Sequence, residues 1–327
     1  MDIRVLSADD LRAAITMAEA IEAVTRGFAQ LSAGRAVVPL RTSLSAAAGT
    51  SLFMPAYLPD SKTTTLKVVS VYPDNRLLGL PTIMAVVAVL DANTGKPLAL
   101  IDGTYLTALR TGAASGAATD LLARKEARVL GLFGAGAQGR TQLEAVCNVR
   151  TIEEVRVFDP NRNAADRLVA EMAGRKAVPG RIIISESPTQ TVKDADVVVT
   201  ATTSREPVFD GTDIGPGTHI NAIGAYTPEM RELDEVVVGK AKIVVDTREG
   251  CLAEAGDLIM AIQSGVISET DIYAELGEVI SGLKCGRESD REITLFKSVG
   301  TAVQDAAVAR AALDRAEERD LGTVASL

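Results

Sequence analysis

The sequence predicts an α/β protein in two parts, an α+β domain followed by a central parallel sheet wound with helices. Three observations predict it. Residues 37–100 hold short β-type runs broken by prolines, residues from 127 onward alternate strictly between strand and helix, and 327 residues suffice for two domains.

The chain opens on helices with legible starts. Ser7 with Asp10, and Thr16 with Glu19, have capping-box spacing, in which a hydroxyl and a carboxylate three residues on each satisfy an orphan N–H. Ile21, Val24, Phe28 and Leu31 then recur at three- and four-residue steps until Gly34, predicting an amphipathic helix packed on a core. The runs 66–72 and 83–90, punctuated by Pro39, Pro55, Pro59, Pro73, Pro81 and Pro97, predict a largely antiparallel sheet. Residues 106–122 are rich in alanine and carry Gly112 and Gly116, a helix whose small residues let neighbours approach closely. Beyond Arg124 the pattern predicts strands at 127–133, 155–158, 181–184, 196–201, 219–223 and 242–245, with helices at 138–149 and 164–172. Residues 293–299 lead into a long alanine-rich helix ending near Gly322, and the change of texture places a domain boundary near residue 120.

Composition narrows the chemistry. With 47% hydrophobic and 24% charged residues the chain can bury a real core. Its single histidine, His219, excludes sites that need several imidazoles on one ion, and no metal is called for. A net charge of −9, with no basic run longer than two residues, argues against nucleic acid, whose phosphates must be neutralised many at once. Cys147, Cys251 and Cys285 are odd in number and far apart, which fits a reducing cytoplasm rather than a disulfide framework. The start of the chain lacks the layout of a signal peptide, and the longest clean apolar run, 83–90, is too short for a membrane helix, so neither export nor a membrane is expected.

The strongest chemical signal is Gly134-Ala135-Gly136-Ala137-Gln138-Gly139, directly after one predicted strand and directly before a helix. In that context Gly134 makes the tight turn, Gly136 lets backbone approach a pyrophosphate, and Gly139 allows close helix–strand packing, while helix-end N–H groups face the anion. Asp159, at the end of the next strand, stands where a carboxylate accepts from an adenosine ribose diol. The expectation is a Rossmann dinucleotide-binding domain. A carboxylate at Asp159 would repel the extra phosphate of NADP, so NAD is preferred, although Arg162 could turn toward a phosphate and NADP is not excluded. Thr202, Thr203 and Ser204, after the strand 196–201, lie where such a sheet presents its carboxyl ends to a cofactor, or they merely cap the next element.

These features together resemble the ornithine cyclodeaminase/mu-crystallin family, which includes archaeal-type alanine dehydrogenases and ketimine reductases. The resemblance runs over essentially the whole chain. It is carried by Leu66-Lys67-Val68, by 102–113 with Arg110-Thr111-Gly112-Ala113, by the glycine loop, by 218–225, and by Phe296-Lys297-Ser298-Val299-Gly300-Thr301-Ala302. It implies a homodimer whose substrate-binding and dimerisation domain spans 1–119 plus about 305–327, with a Rossmann domain at 120–304 and the active site between them. It further implies that Arg41, Lys67 and Arg110 hold the α-carboxylate of a small amino or imino acid. Thr111, Ala137, Gln138, Thr203, Ile223, Ser298, Val299 and Gly300 fall at cofactor-contacting positions. His219 sits in an apolar strand and reads as a satisfied structural imidazole.

One departure bears on the reaction. Cyclodeaminases and the similar alanine dehydrogenases carry an aspartate where this chain has Tyr226, in Gly224-Ala225-Tyr226-Thr227-Pro228. A phenol with an ordinary pKa of about 10 cannot replace a carboxylate as a base at neutral pH, though it can donate a proton. The resemblance therefore implies an NAD(P)H-dependent reductase of α-imino acids such as pyrroline-2-carboxylate, or an amino-acid dehydrogenase of the alanine dehydrogenase type. Lys67 and Tyr226 are the catalytic candidates, and Thr227 shapes the pocket. Ornithine cyclodeamination is the alternative, and a non-catalytic nucleotide-binding protein of the mu-crystallin kind stands as a third reading.

Overall fold

The computed structural model describes residues 1–326. Its first half runs β1 (Asp2–Leu6), α1 (Ala8–Ala14), α2 (Met17–Ser32), β2 (Thr42–Ala46), β3 (Gly49–Leu58), β4 (Thr63–Val71), β5 (Ile83–Asp91), β6 (Pro97–Asp102) and α3 (Gly103–Leu122). Then come β7 (Val129–Phe133), α4 (Ala137–Val149), β8 (Glu154–Phe158), α5 (Arg162–Met172), β9 (Ile182–Ile184), α6 (Pro188–Val192) and β10 (Val197–Thr200). The last part holds β11 (His219–Ala222), α7 (Glu235–Lys240), β12 (Lys242–Val245), α8 (Arg248–Glu254), α9 (Gly256–Gln263), β13 (Ile272–Glu275), α10 (Leu276–Ile280), β14 (Thr294–Lys297), α11 (Ala302–Glu318) and β15 (Thr323–Ser326). No helix among the described residues is long and apolar enough to cross a membrane.

The chain divides into two compact units, one of Met1–Arg110 with the segment from Thr301, the other of Thr111–Gly300. The boundary therefore falls inside α3 rather than near residue 120, and the return falls at residue 301 rather than 305. An uninterrupted alanine-rich helix offers no break in composition for a sequence reading to find.

In the first unit both expected capping boxes form. Ser7 Oγ and Thr16 Oγ1 accept from the N–H groups of Asp10 and Glu19, whose carboxylates accept in return from the capping residues' own N–H groups at 2.9 Å. The sheet order is β15-β1-β6-β5-β4-β3-β2, antiparallel throughout except where β1 runs parallel to β6. Strands β1 and β15 both escape the sequence reading because each is short and β15 is mostly exposed. Strand alternation sends Thr65, Lys67 and Val69 of β4 and Val87 and Val89 of β5 to the buried face, against α11. Helix α11 in turn packs on α2 with small residues at the seam, a Cβ on Gly27 lying 3.1 Å from that of Ala307.

The second unit is a fully parallel eight-stranded sheet of order β13-β12-β14-β11-β10-β7-β8-β9. It is covered on both faces: Leu130, Leu132, Val197 and Val199 pack under α4 and α5, while Val198, Ile220, Val245 and Leu295 belong to the opposite core. From β7 the chain winds one way through β8 and β9, then returns to place β10 on the other side of β7. That reversal opens a crevice at the carboxyl ends of β7 and β10, the place where open α/β sheets bind ligands. The predicted strands and helices of this unit all form within a few residues of their expected bounds, and the short elements α6 to α10 and β13 are additions that sequence periodicity does not reveal.

His219 lies fully buried on β11, its ring nitrogens bonded to Thr294 Oγ1 (3.0 Å) and Asn221 Oδ1 (3.2 Å), and Asn221 continues the chain to Thr119 (2.9 Å). It is the structural imidazole that the sequence predicts. Burial, with Arg287 adding repulsion, pushes its pKa down to about 3. The unfolded chain takes up this proton near the ordinary value of about 6.5 while the fold refuses it, so stability is full above 6.5 and falls as pH drops toward 3. We expect His219 to cost about 3 kcal/mol by pH 4. His219→Gln should flatten the dependence of Tm on pH between 6.5 and 4; equal slopes in both proteins would refute the assignment.

Candidate active site

In the second unit the glycine loop joins β7 to α4 at the crevice. Gly134 takes φ +96°, and a Cβ there would lie 2.5 Å from the Ala201 carbonyl oxygen, so the loop is pressed against the end of β10. A Cβ on Gly139 would meet the Gly134 carbonyl oxygen at 2.1 Å, the close packing that this position requires. Gly136 differs: a Cβ would meet nothing within 4 Å, and the residue caps α4 with no side-chain hydrogen bond. The tip at Gly136 and Ala137 is exposed, so α4 offers its first N–H groups to an open cradle. Gln138 follows half-buried in the first turn of α4. These features fit a pyrophosphate.

Asp159 reaches back to this loop. One carboxylate oxygen accepts from Ala135 N–H and the other from Asn161 N–H, both at 2.8 Å, which fixes the side chain beside the cradle with lone pairs to spare. Arg162 opens α5 and pairs with Glu186 (3.2 Å) and Asp166 (3.6 Å), two carboxylates that compete with any phosphate for it. Arg140, which sequence reasoning missed, donates to the carbonyls of Ala135 (2.7 Å) and Gly136 (3.0 Å) and braces the loop from behind.

Two buried carboxylates organise the neighbouring strand ends. Glu232 accepts from Thr202 and from the N–H groups of Gly224 and Ala225, so the loops after β10 and β11 share one anchor. Asp246, at the end of β12, accepts from Ser298 Oγ (2.7 Å), Val299 N–H (3.0 Å) and Gly300 N–H (2.8 Å), holding the turn after β14. The candidates Thr202, Ser298, Val299 and Gly300 are thus tied by residues absent from the sequence reading. Ser204 N–H donates to Thr202 Oγ1 (3.2 Å), and Thr203 lies exposed between them. Ile223 is buried at the end of β11, and Thr111 is buried on α3. Tyr226 rests half-buried against the apolar core, and Thr227 follows it, its carbonyl accepting from Met230 N–H (3.1 Å).

In the first unit Lys67 and Arg110 meet over one carboxylate. Lys67 Nζ lies 2.7 Å from Asp305 Oδ2 and Arg110 Nε 3.0 Å from Asp305 Oδ1, with Lys67 1% and Arg110 6% exposed. Arg110 also donates to Gln304 Oε1. Because a guanidinium can only donate, Gln304 must present its oxygen there, which leaves its buried Nε2 without a hydrogen-bond partner. Burial lowers the Lys67 pKa to about 8, opposed by Asp305 and reinforced by Arg110 and Arg41, which places Arg41 within electrostatic reach. Asp305 and Gln304 were missed, although two polar side chains among the alanines of 302–312 are a signal the sequence does carry.

The model of the ornithine cyclodeaminase/mu-crystallin family matches residues 1–320. The chain belongs to that family. Among its relatives, the Δ1-pyrroline-2-carboxylate reductase of Bacillus cereus is 40% identical over 321 residues, 97% of this chain and 98% of that protein. The structure of the Thermococcus litoralis Δ1-pyrroline-2-carboxylate reductase in complex with NADH and L-proline matches with a TM-score of 0.94 and 48% identity, over 98% of this chain and 99% of that one. An archaeal alanine dehydrogenase dimer with bound NAD matches with a TM-score of 0.93 and 40% identity over the whole of both chains. For this family member the expectation of an NAD-dependent oxidoreductase acting on amino or imino groups is thus met by its relatives.

Since a side chain at Gly136 meets only open space, Gly136→Val should fold with a Tm lower by no more than a few degrees, for the poorer cap on α4, yet lose NADH fluorescence enhancement. Undiminished NADH binding by this variant would remove the loop as the pyrophosphate site.

Proposed function

We propose that this chain is an NAD-dependent reductase of small α-imino acids, with pyrroline-2-carboxylate as the representative substrate and reductive amination of a small 2-oxo acid as its open-chain counterpart. The observation that carries this reading is the buried Lys67–Asp305–Arg110 cluster. A bound nicotinamide would supply a hydride to the C=N carbon; the chain's own residues must supply the anchor and the proton. Arg110, oriented by Asp305 and Gln304, offers its remaining N–H groups to the substrate carboxylate, and Arg41 adds charge. The partnerless Gln304 Nε2 offers one more donor. Lys67, with a pKa of about 8, is protonated at neutral pH and close enough to that pH to release its proton to the imine nitrogen. Asp305 then faces a neutral amine until solvent restores the ammonium. Cyclodeamination of ornithine is disfavoured, since Tyr226 stands where that reaction uses a carboxylate. With Asp159 beside the cradle and Arg162 engaged by two carboxylates, NAD is favoured over NADP.

The test is consumption of NADH with pyrroline-2-carboxylate, against pyruvate with ammonia and against ornithine; ammonia and proline from ornithine without net NADH change would overturn the reading. Because the proton donor is Lys67, kcat/KM for reduction should hold level below pH 8 and fall about tenfold per pH unit above it, as the ammonium is lost. Asp305→Asn should shift that descending limb to lower pH, since its carboxylate is what favours the charged lysine. A limb that stays in place would free Lys67 from this role.

We further propose a cytoplasmic homodimer. The outer face of the first sheet is apolar and exposed at Leu66, Met84, Val86 and Leu100, and the register joins these into one patch, with Leu66 opposite Ala88, Val68 opposite Val86 and Ala88 opposite Leu100. The alanine dehydrogenase neighbour described as a dimer supports this reading. Light scattering should give twice the chain mass for the wild type and the single-chain mass for Leu66→Glu/Val86→Glu; a monomeric wild type would refute it. The free thiols Cys147, Cys251 and Cys285 support a reducing compartment.

A further inference from the structure

Glu232, with no exposed surface, accepts five hydrogen bonds and is left unused by the proposed chemistry. Its Oε1 accepts from Thr202 N–H (2.7 Å) and Thr202 Oγ1 (2.8 Å). Its Oε2 accepts from Thr200 Oγ1 (2.9 Å), Gly224 N–H (2.7 Å) and Ala225 N–H (3.2 Å). The backbone around it is pinned as well: the N–H groups of Glu232 and Leu233 both donate to Asp257 Oδ1, at 2.6 and 2.9 Å. Asp257 Oδ2 pairs with Lys297 Nζ at 2.7 Å, and that ammonium donates to the Ala225 carbonyl at 2.7 Å. The circuit closes on itself and ties the carboxyl ends of β10, β11 and β14, three adjacent strands of the parallel sheet.

Glu232, Asp257 and Lys297 have no solvent exposure. Burying ionised side chains is costly, and apolar residues of similar volume often hold a core as well or better. What apolar residues cannot do is fix two loops by five hydrogen bonds to one group. The fit is tight: a Cβ on Gly224 would lie 2.2 Å from the Thr202 carbonyl oxygen and 2.4 Å from Glu232 Oε1. Thr202 Oγ1 relays the hold onward by accepting from Ser204 N–H.

We propose that Glu232 is a positioning residue for the dinucleotide, setting the shape in which the Thr202–Ser204 and Gly224–Tyr226 loops meet the cofactor. This rests on the reading that the crevice takes NAD(H). Glu232→Gln tests it selectively. The glutamine oxygen can keep the Oε2 position, where two N–H groups demand an acceptor, so its amide faces Thr202 N–H and releases that loop alone. Full-length proteins are titrated with NADH by fluorescence. Glu232→Gln should raise the NADH Kd about tenfold while the KM for pyrroline-2-carboxylate at saturating cofactor stays within about twofold. Thr202→Val should raise the Kd about threefold in the wild-type background and leave it unchanged in the Glu232→Gln background, because both changes remove one shared hold.

A wild-type chain that binds no NADH overturns the cofactor reading itself, and this inference with it. NADH binding by the wild type that is matched by a folded Glu232→Gln overturns this inference alone. So does a Thr202→Val effect of equal size in both backgrounds, which would make the hydroxyl a direct cofactor contact. If Glu232→Gln does not fold, an unchanged Kd in Thr202→Val is decisive against the proposal, and Glu232→Asp, whose shorter carboxylate cannot span both loops, takes its place in the same cycle with the same outcomes deciding.

Discussion

An ammonium group cannot stay charged inside a protein core unless a carboxylate is brought to it, and much of the first unit follows from that constraint. Lys67 lies on the covered face of β4, where strand alternation puts it, and its counter-charge comes from Asp305 on α11, near the other end of the chain. The helix that delivers Asp305 must lie flat on the sheet, which its alanines allow, and must approach α2 closely, which Gly27 allows. The same carboxylate turns Arg110, so one residue orients both cations of the candidate site. An acidic protein with a charge of −9 thereby keeps a local pair of buried cations.

The second unit solves a related problem differently. The loops at the carboxyl ends of its strands are ordered by buried acceptors, with Glu232 and Asp246 gathering N–H groups that would otherwise point at nothing. The two anchors bear on opposite sides of β14, so the loops of four neighbouring strands are fixed by side chains that never face the crevice themselves. Preorganisation of this kind lowers the entropic cost of binding a long, flexible dinucleotide.

What could be read from the residues was whatever has a local signature. The capping boxes, the alternation after residue 127 and the glycine loop each act over a handful of positions, and each is found in place. Lys67 and Arg110 were legible only through resemblance, because a lysine in a strand and an arginine in a helix look solvated until their partner is known. Asp305, Gln304, Glu232 and Asp246 act across long sequence separations, and no periodicity announces such pairings. The boundary inside α3 was misplaced for the same reason: a helix continuous in sequence belongs to two units that differ only in what packs around it.

The pairing of β1 with β15 gives the first unit an order of assembly. Its sheet and its covering helix are drawn from both ends of the chain, whereas the second unit is one uninterrupted segment, Thr111–Gly300. During synthesis the segment of the second unit is complete while the first unit still lacks α11, so Lys67 has no counter-ion until that helix emerges. The Lys67–Asp305–Arg110 cluster consequently cannot form before residue 305 has been made, and a chain stopped short of it has no carboxylate to hold its buried cations.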